Sequence, residues 1–198
     1  MKKNKLKKKV EIVANVRYRI TIFTFFVLIV YIIGLWRFNF FSNQITIMEG
    51  LNSVTEDRIA LENNIQEMVK GYPIEQMVPY ILEKDSLTVA FLVSIAKKES
   101  NWGKRVPVLN GEDCFNYWGY RGIRERMGTG GHTCFDSPED AVDTVGKRIE
   151  TLIRKYELTT PSDMIIWKCG SSCAGHSEYG VRKWISDVGY YFEKIIEN

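Results

Sequence analysis

The protein has 198 residues, enough for one ordinary domain and an appendage. Its net charge of +3 is uneven: residues 1–19 hold eight Lys or Arg and one acid, whereas the remainder holds 19 basic and 23 acidic side chains. Phosphate recognition relies on clustered cations, so the charge of this remainder excludes a nucleic-acid-binding protein. The 45% hydrophobic content is sufficient for a packed core.

Residues Ile20 to Trp36 form a run of 17 residues without a charge. As a helix this run rises about 25 Å, close to the hydrocarbon thickness of a bilayer, about 30 Å. Phenylalanines after Arg37 extend its apolar length. We predict an uncleaved transmembrane helix over residues 20–41, in contact with membrane lipid. A cleaved signal peptide is the alternative, but it ends in small residues before the cut, and here a bulky Trp-Arg-Phe segment follows.

The lysine-rich N-terminus predicts the orientation of this helix. Positive charge next to a transmembrane segment favours the cytoplasmic side. We therefore expect residues 1–19 to be a basic cytoplasmic tail and the chain after about residue 40 to lie outside. The predicted location is the cell membrane, with a single pass and an extracytoplasmic domain.

All four cysteines fall in the predicted outer part: Cys114, Cys134, Cys169 and Cys173. An even number of cysteines on the oxidising side of a membrane favours disulfides. Three connectivities are possible, and we favour the sequential one. Closing the span from Cys114 to Cys134 contributes roughly 3 kcal/mol by loop entropy.

A zinc site is the alternative use of these cysteines. His132 lies two residues before Cys134, and Cys169, Cys173 and His176 follow a C-x3-C-x2-H spacing. These are zinc-ligand types. The spacing is irregular for a zinc finger, however, and the predicted compartment oxidises thiols. We therefore predict no metal.

Residues 42–70 have apolar side chains at spacings compatible with a partly amphipathic helix, which we interpret as a stalk. Gly71, Tyr72 and Pro73 interrupt the pattern, so we expect the outer domain to cover residues 71–198. Its helices are predicted from hydrophobic patterns and capping residues, with loops and a small hairpin in the glycine-rich part, 103–135. The predicted helices are 74–83, 87–100, 138–156, 162–167 and 178–196. The domain is therefore predicted to be mainly α.

The apolar helix 87–100 ends in the segment Glu99-Ser100-Asn101-Trp102-Gly103. A carboxyl at the end of such a helix, next to a tryptophan, is partly removed from water, which favours its protonated form. A glycosidase needs an acid of this kind to protonate the leaving oxygen. A glutamate with lysine neighbours near a helix end is, however, most often a solvated charge, so the local pattern leaves both readings open.

Two motifs in order resemble a known family. Glu99-Ser-Asn-Trp-Gly, followed by Asn116-Tyr-Trp-Gly-Tyr-Arg-Gly122, is similar to the glucosaminidase and flagellar-muramidase branch of the lysozyme-like superfamily, which includes mannosyl-glycoprotein endo-beta-N-acetylglucosaminidase-like domains. Phe135–Val142 and Tyr179 resemble later segments of that family. The resemblance covers roughly residues 74–196. It implies a lysozyme-like catalytic domain with a small loop or hairpin lobe.

The resemblance implies that Glu99 is the general acid of a peptidoglycan glycosidase that cleaves between N-acetylmuramic acid and N-acetylglucosamine, with no cofactor. It assigns glycan contacts to Trp102, Asn116, Tyr117, Trp118, Tyr120 and Tyr179. Ordinary core and loop packing is the alternative for the aromatic residues. Some members use a second carboxylate, for which Glu125 is the candidate and Asp136 the fallback.

Two chemical outcomes follow from this assignment. With a second carboxylate, water hydrolyses the bond; without one, the same acid turns base and closes an anhydro ring, as lytic transglycosylases do. Two non-catalytic alternatives stay open: an inactive glycan-binding scaffold for wall remodelling, and a protein that only interacts with the membrane.

Overall fold

The computed structural model describes the backbone of residues 2–197 and the side chains of residues 17, 19, 21–41, 44 and 55–197. Most side chains of the predicted tail, residues 1–19, therefore lie outside the described residues. The chain divides into two compact units, Met1–Glu56 and Asp57–Asn198. The described part is mainly helical with few strands, as predicted.

Helix α1 covers Lys2–Val69. Within it, Thr21–Phe41 is long and apolar enough to cross a membrane, judged by length and composition, and its described side chains are exposed. A signal sequence at the N-terminus passes the same test. Among the described residues, the structure therefore contains one apolar N-terminal helical segment, at the position predicted for residues 20–41.

The last part of α1 belongs to the second unit. Ile65 and Val69 are fully buried in its core, and Asn64 donates a hydrogen bond to the carbonyl of Lys194 (2.9 Å). These contacts correct the predicted boundary at residue 71: the second unit begins at Asp57. The predicted stalk, residues 42–70, is helical to Val69, but its C-terminal half, from Asp57 onward, belongs to the second unit.

Helix α3, Ser86–Ser100, lies at the centre of the second unit, as its nearly all-apolar sequence predicts. Every side chain from Thr88 to Ala96 is buried. Its N-terminus is capped by Asp85, whose carboxylate accepts hydrogen bonds from the backbone N–H (3.0 Å) and hydroxyl (2.6 Å) of Thr88. A 3-10 turn, Pro73–Met77, and a short helix α2, Val78–Ile81, precede it.

Two amphipathic helices pack against α3. Helix α4, Pro138–Tyr156, begins with proline after a serine cap, and Ser137 Oγ accepts from the Asp140 N–H (3.1 Å). Helix α6, Glu178–Ile196, buries Trp184 and other apolar residues along one face. Between them lie a 3-10 turn, Asp163–Ile165, and helix α5, Ile166–Cys169. The predicted helices 87–100, 138–156 and 178–196 are confirmed. The predicted helices 74–83 and 162–167 are each a 3-10 turn followed by a four-residue helix.

The glycine-rich part forms the predicted small hairpin lobe, as two antiparallel hairpins joined by a disulfide. Strand β1, Val108–Leu109, pairs with β2, Glu112–Asp113. Strand β3, Met127–Gly128, pairs with β4, His132–Thr133. Cys114 and Cys134, which follow β2 and β4, are bonded, and the second disulfide joins Cys169 to Cys173. The sequential pairing is confirmed, and all four sulfurs are used in it.

Candidate functional site

The end of helix α3 brings Glu99 to a surface cleft. Three successive residues with positive φ, namely Asn101 (53°), Trp102 (54°) and Gly103 (91°), reverse the chain there. Asn101 is the left-handed C-cap residue. A Cβ on Gly103 would lie 2.8 Å from Pro73 and 2.9 Å from the Tyr117 ring, so only glycine fits. The Ser-Asn-Trp-Gly segment after Glu99 is thus a compact helix end.

The cleft has a volume of about 410 Å³. Its walls come from the end of α3, the following loop, the segment between the hairpins, and the turn before β4. Most of the lining residues are exposed or half-buried, and these include Glu99, Arg105, Val106, Gly119, Thr129 and His132. Two further lining residues, Ser100 and Asn116, are buried. Within the described chain, Glu99 is the one carboxylate among the residues that line this cleft.

The two oxygens of the half-buried Glu99 carboxyl have different surroundings: one accepts a hydrogen bond, and the other faces the opposite wall of the cleft. Oε1 accepts a hydrogen bond from the indole Nε1 of Trp184 (2.7 Å), a side chain that is 1% exposed. Oε2 lies 3.7 Å from the point where a Cβ on Gly119 would stand. Gly119 has φ +67°, which favours glycine, so the cleft wall is free of a side chain beside Glu99.

Asn116 folds the loop that presents Gly119. Its Nδ2 donates to the carbonyls of Tyr120 and Thr133 (both 2.8 Å), and its Oδ1 accepts from the Tyr120 N–H (2.9 Å). Both ends of this amide are therefore used inside the protein. Asn116 lines the cleft, as predicted, but it positions the loop and has no free amide group for a sugar hydroxyl.

The predicted aromatic contacts with glycan need correction for three residues. The Trp102, Tyr117 and Trp118 side chains are at most 3% exposed, so they belong to the core and not to the cleft surface. The indoles of Trp102 and Trp118 donate to the carbonyls of Val93 (2.9 Å) and Leu92 (2.7 Å) of α3. Both tryptophans thus fasten the loops around the cleft to the central helix.

The Tyr117 phenol is bonded inside the protein as well. It donates to Asp113 Oδ2 (3.1 Å) and accepts from Gln76 Nε2 (3.2 Å). Burial, together with the Asp113 charge and hydrogen bond, raises the pKa of Tyr117. The phenol therefore stays protonated, in a structural role.

The remaining predicted contacts lie away from the cleft. Tyr120 is half-buried, and its ring stacks on those of Phe135 and Trp167, with distances of 6.1 Å and 6.2 Å between ring centres. Tyr179 is 69% exposed in the first turn of α6 and is not among the cleft-lining residues. From the predicted set, the structure brings Glu99 and Asn116 together in the cleft. The Tyr120 backbone is bonded to Asn116, but neither tyrosine is among the cleft-lining residues.

Neither candidate for a second carboxylate reaches the cleft. Glu125 is exposed on the loop before β3 and does not line it. Asp136 pairs with Arg126 Nη1 (2.5 Å) outside it. The neighbour of Glu125, Arg124, makes two hydrogen bonds to Asp140 of α4 (2.5 and 2.9 Å). Hydrogen bonding from Arg124 is the main cause that lowers the pKa of Asp140, so this loop is tied to α4 by a charged pair.

Three cleft features were not predicted from the sequence: Trp184, Gly119 as the residue opposite Glu99, and Arg105. A signal existed for Trp184, since a buried indole needs an acceptor for its N–H. Among the described residues, no cluster of three or more His, Cys, Asp or Glu side chains is arranged to hold a metal ion. Comparison with family models, with curated proteins and with solved structures found no match to this chain.

Proposed function

We propose that the protein is a membrane-anchored peptidoglycan glycosidase with a lysozyme-like domain and Glu99 as its general acid. The observation that carries the proposal is the Glu99 carboxyl: it is half-buried, lines an open cleft at the end of the central helix, and has one oxygen held by Trp184. The two motifs that resemble the glucosaminidase and flagellar-muramidase branch lie on opposite walls of this cleft. Sequence resemblance and geometry thus support the same residue.

The proposed chemistry begins with a proton on Glu99. The acid protonates the glycosidic oxygen between N-acetylmuramic acid and N-acetylglucosamine as the bond breaks, and positive charge develops on the sugar. Trp184 fixes Oε1, so Oε2, on the side of Gly119, is the oxygen that delivers the proton. The bare wall at Gly119 leaves room for a sugar ring next to the acid.

A lytic transglycosylase is the second form of this proposal, and a specific observation favours it. Glu99 is the one carboxylate among the described cleft-lining residues, and Glu125 lies outside. With no second carboxylate to activate water, Glu99 becomes the base after the bond breaks. It then takes the proton from a hydroxyl of the cleaved sugar itself, which closes an anhydro ring.

The anchor and the orientation are part of the same proposal. Thr21–Phe41 has the length and composition of a membrane span, and the basic residues before it favour the cytoplasmic side. The two disulfides support an oxidising, extracytoplasmic location for residues 57–198. Peptidoglycan is a substrate found on that side of a bacterial membrane.

The test uses the full-length chain in detergent with purified peptidoglycan, and identifies soluble products by mass. We expect cleavage by the wild type, and a loss of about 100- to 10,000-fold in the Glu99→Gln variant, because the amide has no acidic proton to donate. Anhydro products support the transglycosylase form, whereas reducing sugars that carry one more water support hydrolysis. Circular dichroism must show that the variant is folded.

The Glu125→Gln variant is the matched control, since it makes the same chemical change outside the cleft. The single-acid mechanism predicts that it cleaves at nearly the wild-type rate. A comparable loss in both variants contradicts that mechanism and supports a second carboxylate. A wild-type protein that binds peptidoglycan without cleaving it contradicts the enzyme and supports the scaffold alternative.

A further inference from the structure

A basic groove lies next to the cleft. It runs between the end of α3 and the exposed face of α6 and has a volume of about 700 Å³. Its residues include four cations, one carboxylate and a tyrosine: Lys97, Lys98, Arg105, Lys183, Asp187 and Tyr190. Arg105 lines both the cleft and this groove, so the two depressions adjoin and a long ligand bound in the cleft extends into the groove.

The charge of the groove is opposite to that of the chain around it. Residues 20–198 hold 19 basic and 23 acidic side chains. The groove lining has four cations to one carboxylate, Asp187. Such a local excess of positive charge attracts an anionic ligand.

The groove lysines are held in place. Asp187 accepts from Lys98 (2.5 Å) and from Lys183 (2.9 Å), so one carboxylate is shared by two ammonium groups. Burial acts to raise the pKa of Asp187, but hydrogen bonds from the two lysines outweigh burial and lower it. Asp187 therefore stays ionised, and each ammonium, with three N–H donors, keeps donors for a further acceptor.

The third lysine is positioned by aromatic rings. The Lys97 ammonium lies 3.9 Å from the ring centre of Trp102, 4.8 Å from that of Tyr72 and 5.3 Å from that of Tyr191. Cation–π contacts of this kind hold a cation without neutralising its charge. The groove is therefore a preorganised row of cations that begins at the cleft.

We propose that the basic groove binds the free carboxylates of the peptide stems of peptidoglycan, and so selects glycan strands that carry peptides. This inference rests on the proposed function. Peptidoglycan bears a short peptide on alternate sugars, next to the bond that a glycosidase of this class cleaves. With the glycan in the cleft at Glu99, a stem on an adjacent sugar passes Arg105 and reaches Lys98 and Lys183.

Binding is tested with the full-length chain in detergent, by co-sedimentation with peptidoglycan freed of other wall polymers. A second sample uses the same glycan after enzymatic removal of the peptide stems, and a third uses peptidoglycan on which the phosphodiester-rich wall polymers are left. The test variant is Lys183→Glu, with Lys183→Gln as a milder second change. The control is Lys147→Glu, which makes the same charge change at an exposed site on α4 outside the groove.

We expect Lys183→Glu to weaken binding to stem-bearing peptidoglycan by about fivefold, the size of a few partly exposed charge contacts. Lys183→Gln should have a smaller effect in the same direction, and Lys147→Glu should bind like the wild type. The glycan without stems should bind wild type and all variants equally. Far-ultraviolet circular dichroism shows whether each variant is folded.

Three results overturn the inference: equal binding of all variants to stem-bearing material, equal weakening on both materials, or weakening only when wall polymers rich in phosphodiesters are left on. The last result assigns the groove to phosphate instead. Sedimentation measures binding and needs no turnover. Stem-dependent binding without cleavage would therefore support stem binding by the groove, and it would contradict only the proposed glycosidase activity.

Discussion

The two oxygens of the Glu99 carboxyl have different surroundings. Oε1 receives the indole N–H of Trp184 from a helix 85 residues further along the chain. Oε2 is near the side-chain-free wall at Gly119. A rotating carboxyl would present either oxygen to a ligand, whereas this one is held by a buried neighbour. Trp184 therefore positions the Glu99 carboxyl, and under the proposed function it acts on the glycan through Glu99.

The change Trp184→Phe tests that role. Phenylalanine keeps an aromatic ring in the core but removes the N–H. In the proposed mechanism Glu99 becomes a carboxylate as it gives up its proton, and a hydrogen bond to a charged group is worth about 1.5–3 kcal/mol. We expect kcat on peptidoglycan to fall by about 10-fold or more, with KM nearly unchanged, because the loss affects the orientation of the acid and not glycan binding.

Trp167→Phe is the matched control for this change. The Trp167 indole also donates a hydrogen bond, but to the backbone carbonyl of Trp118 (3.1 Å). The Trp167→Phe change should lower the midpoint temperature of thermal unfolding and leave kcat close to the wild-type value. Equal kinetic losses in the two variants would mean that Trp184 has a merely structural role.

At this scale the sequence predicted that Glu99 lies at the end of an apolar helix, but not which side chains surround its carboxyl. Glu99 lies in the last turn of an apolar helix and begins a recognisable motif, and both are local features of the sequence. Trp184 meets it only because α3 and α6 pack together. Tyr117 and Trp118 were expected in the cleft because aromatic residues serve equally well in a core and against a sugar ring. Composition alone does not separate these two uses.

Among the elements, α3 has the largest share in forming the site. The carbonyls of Val93 and Leu92 accept hydrogen bonds from the indole N–H groups of Trp102 and Trp118, and the last turn of α3 carries Glu99. The Ser100 hydroxyl joins the end of α3 to the chain that follows: Ser100 Oγ donates to the Ala96 carbonyl and accepts from the Gly103 N–H (both 2.9 Å). A shift of this helix therefore moves the Glu99 carboxyl together with the loops that are fastened to the helix.

The N-cap of α3 offers a test of how far the site depends on the helix. Asp85→Ala removes two acceptors and should destabilise the protein by about 1 kcal/mol, whereas Asp85→Asn keeps a capping side chain and should be nearly neutral. Urea unfolding monitored by tryptophan fluorescence measures both. No difference between the two variants would contradict the capping role.

The helices were predictable because their signals are local. Asp85 and Ser137 are capping residues immediately before periodic apolar segments, and both caps form as the sequence indicates. The domain boundary was not predictable in the same way. Ile65 and Val69 look like one stripe of a stalk helix, and only their burial in the second unit assigns them to its core. Core membership is a property of tertiary packing.

For the whole molecule, the charge distribution and the disulfides lead to one expectation about topology. The basic residues precede the apolar segment Thr21–Phe41, and both disulfides follow it. Cation-rich flanks favour the cytoplasm, whereas disulfides form on the oxidising side. If Thr21–Phe41 spans the membrane, the basic residues lie on the cytoplasmic side and the disulfides lie on the oxidising side.

A reporter enzyme that is active only after export, fused behind Asn198, measures this topology. We expect activity from the full-length fusion and none when the same reporter follows Arg19, ahead of the apolar segment. A reporter that is active only in the cytoplasm, also fused behind Asn198, should be silent. Cytoplasmic activity from that last fusion contradicts the orientation and, with it, an oxidising environment for the cysteines.

The disulfide between Cys114 and Cys134 has a further consequence for a molecule that meets proteases. The loop it encloses carries Arg121, which is exposed and is a cleavage point for trypsin-like proteases. A cut there leaves Glu99 on one fragment and Trp184 on the other. The bond still links the two fragments covalently, so a nicked molecule retains both parts of the cleft and separates only when a reductant is added.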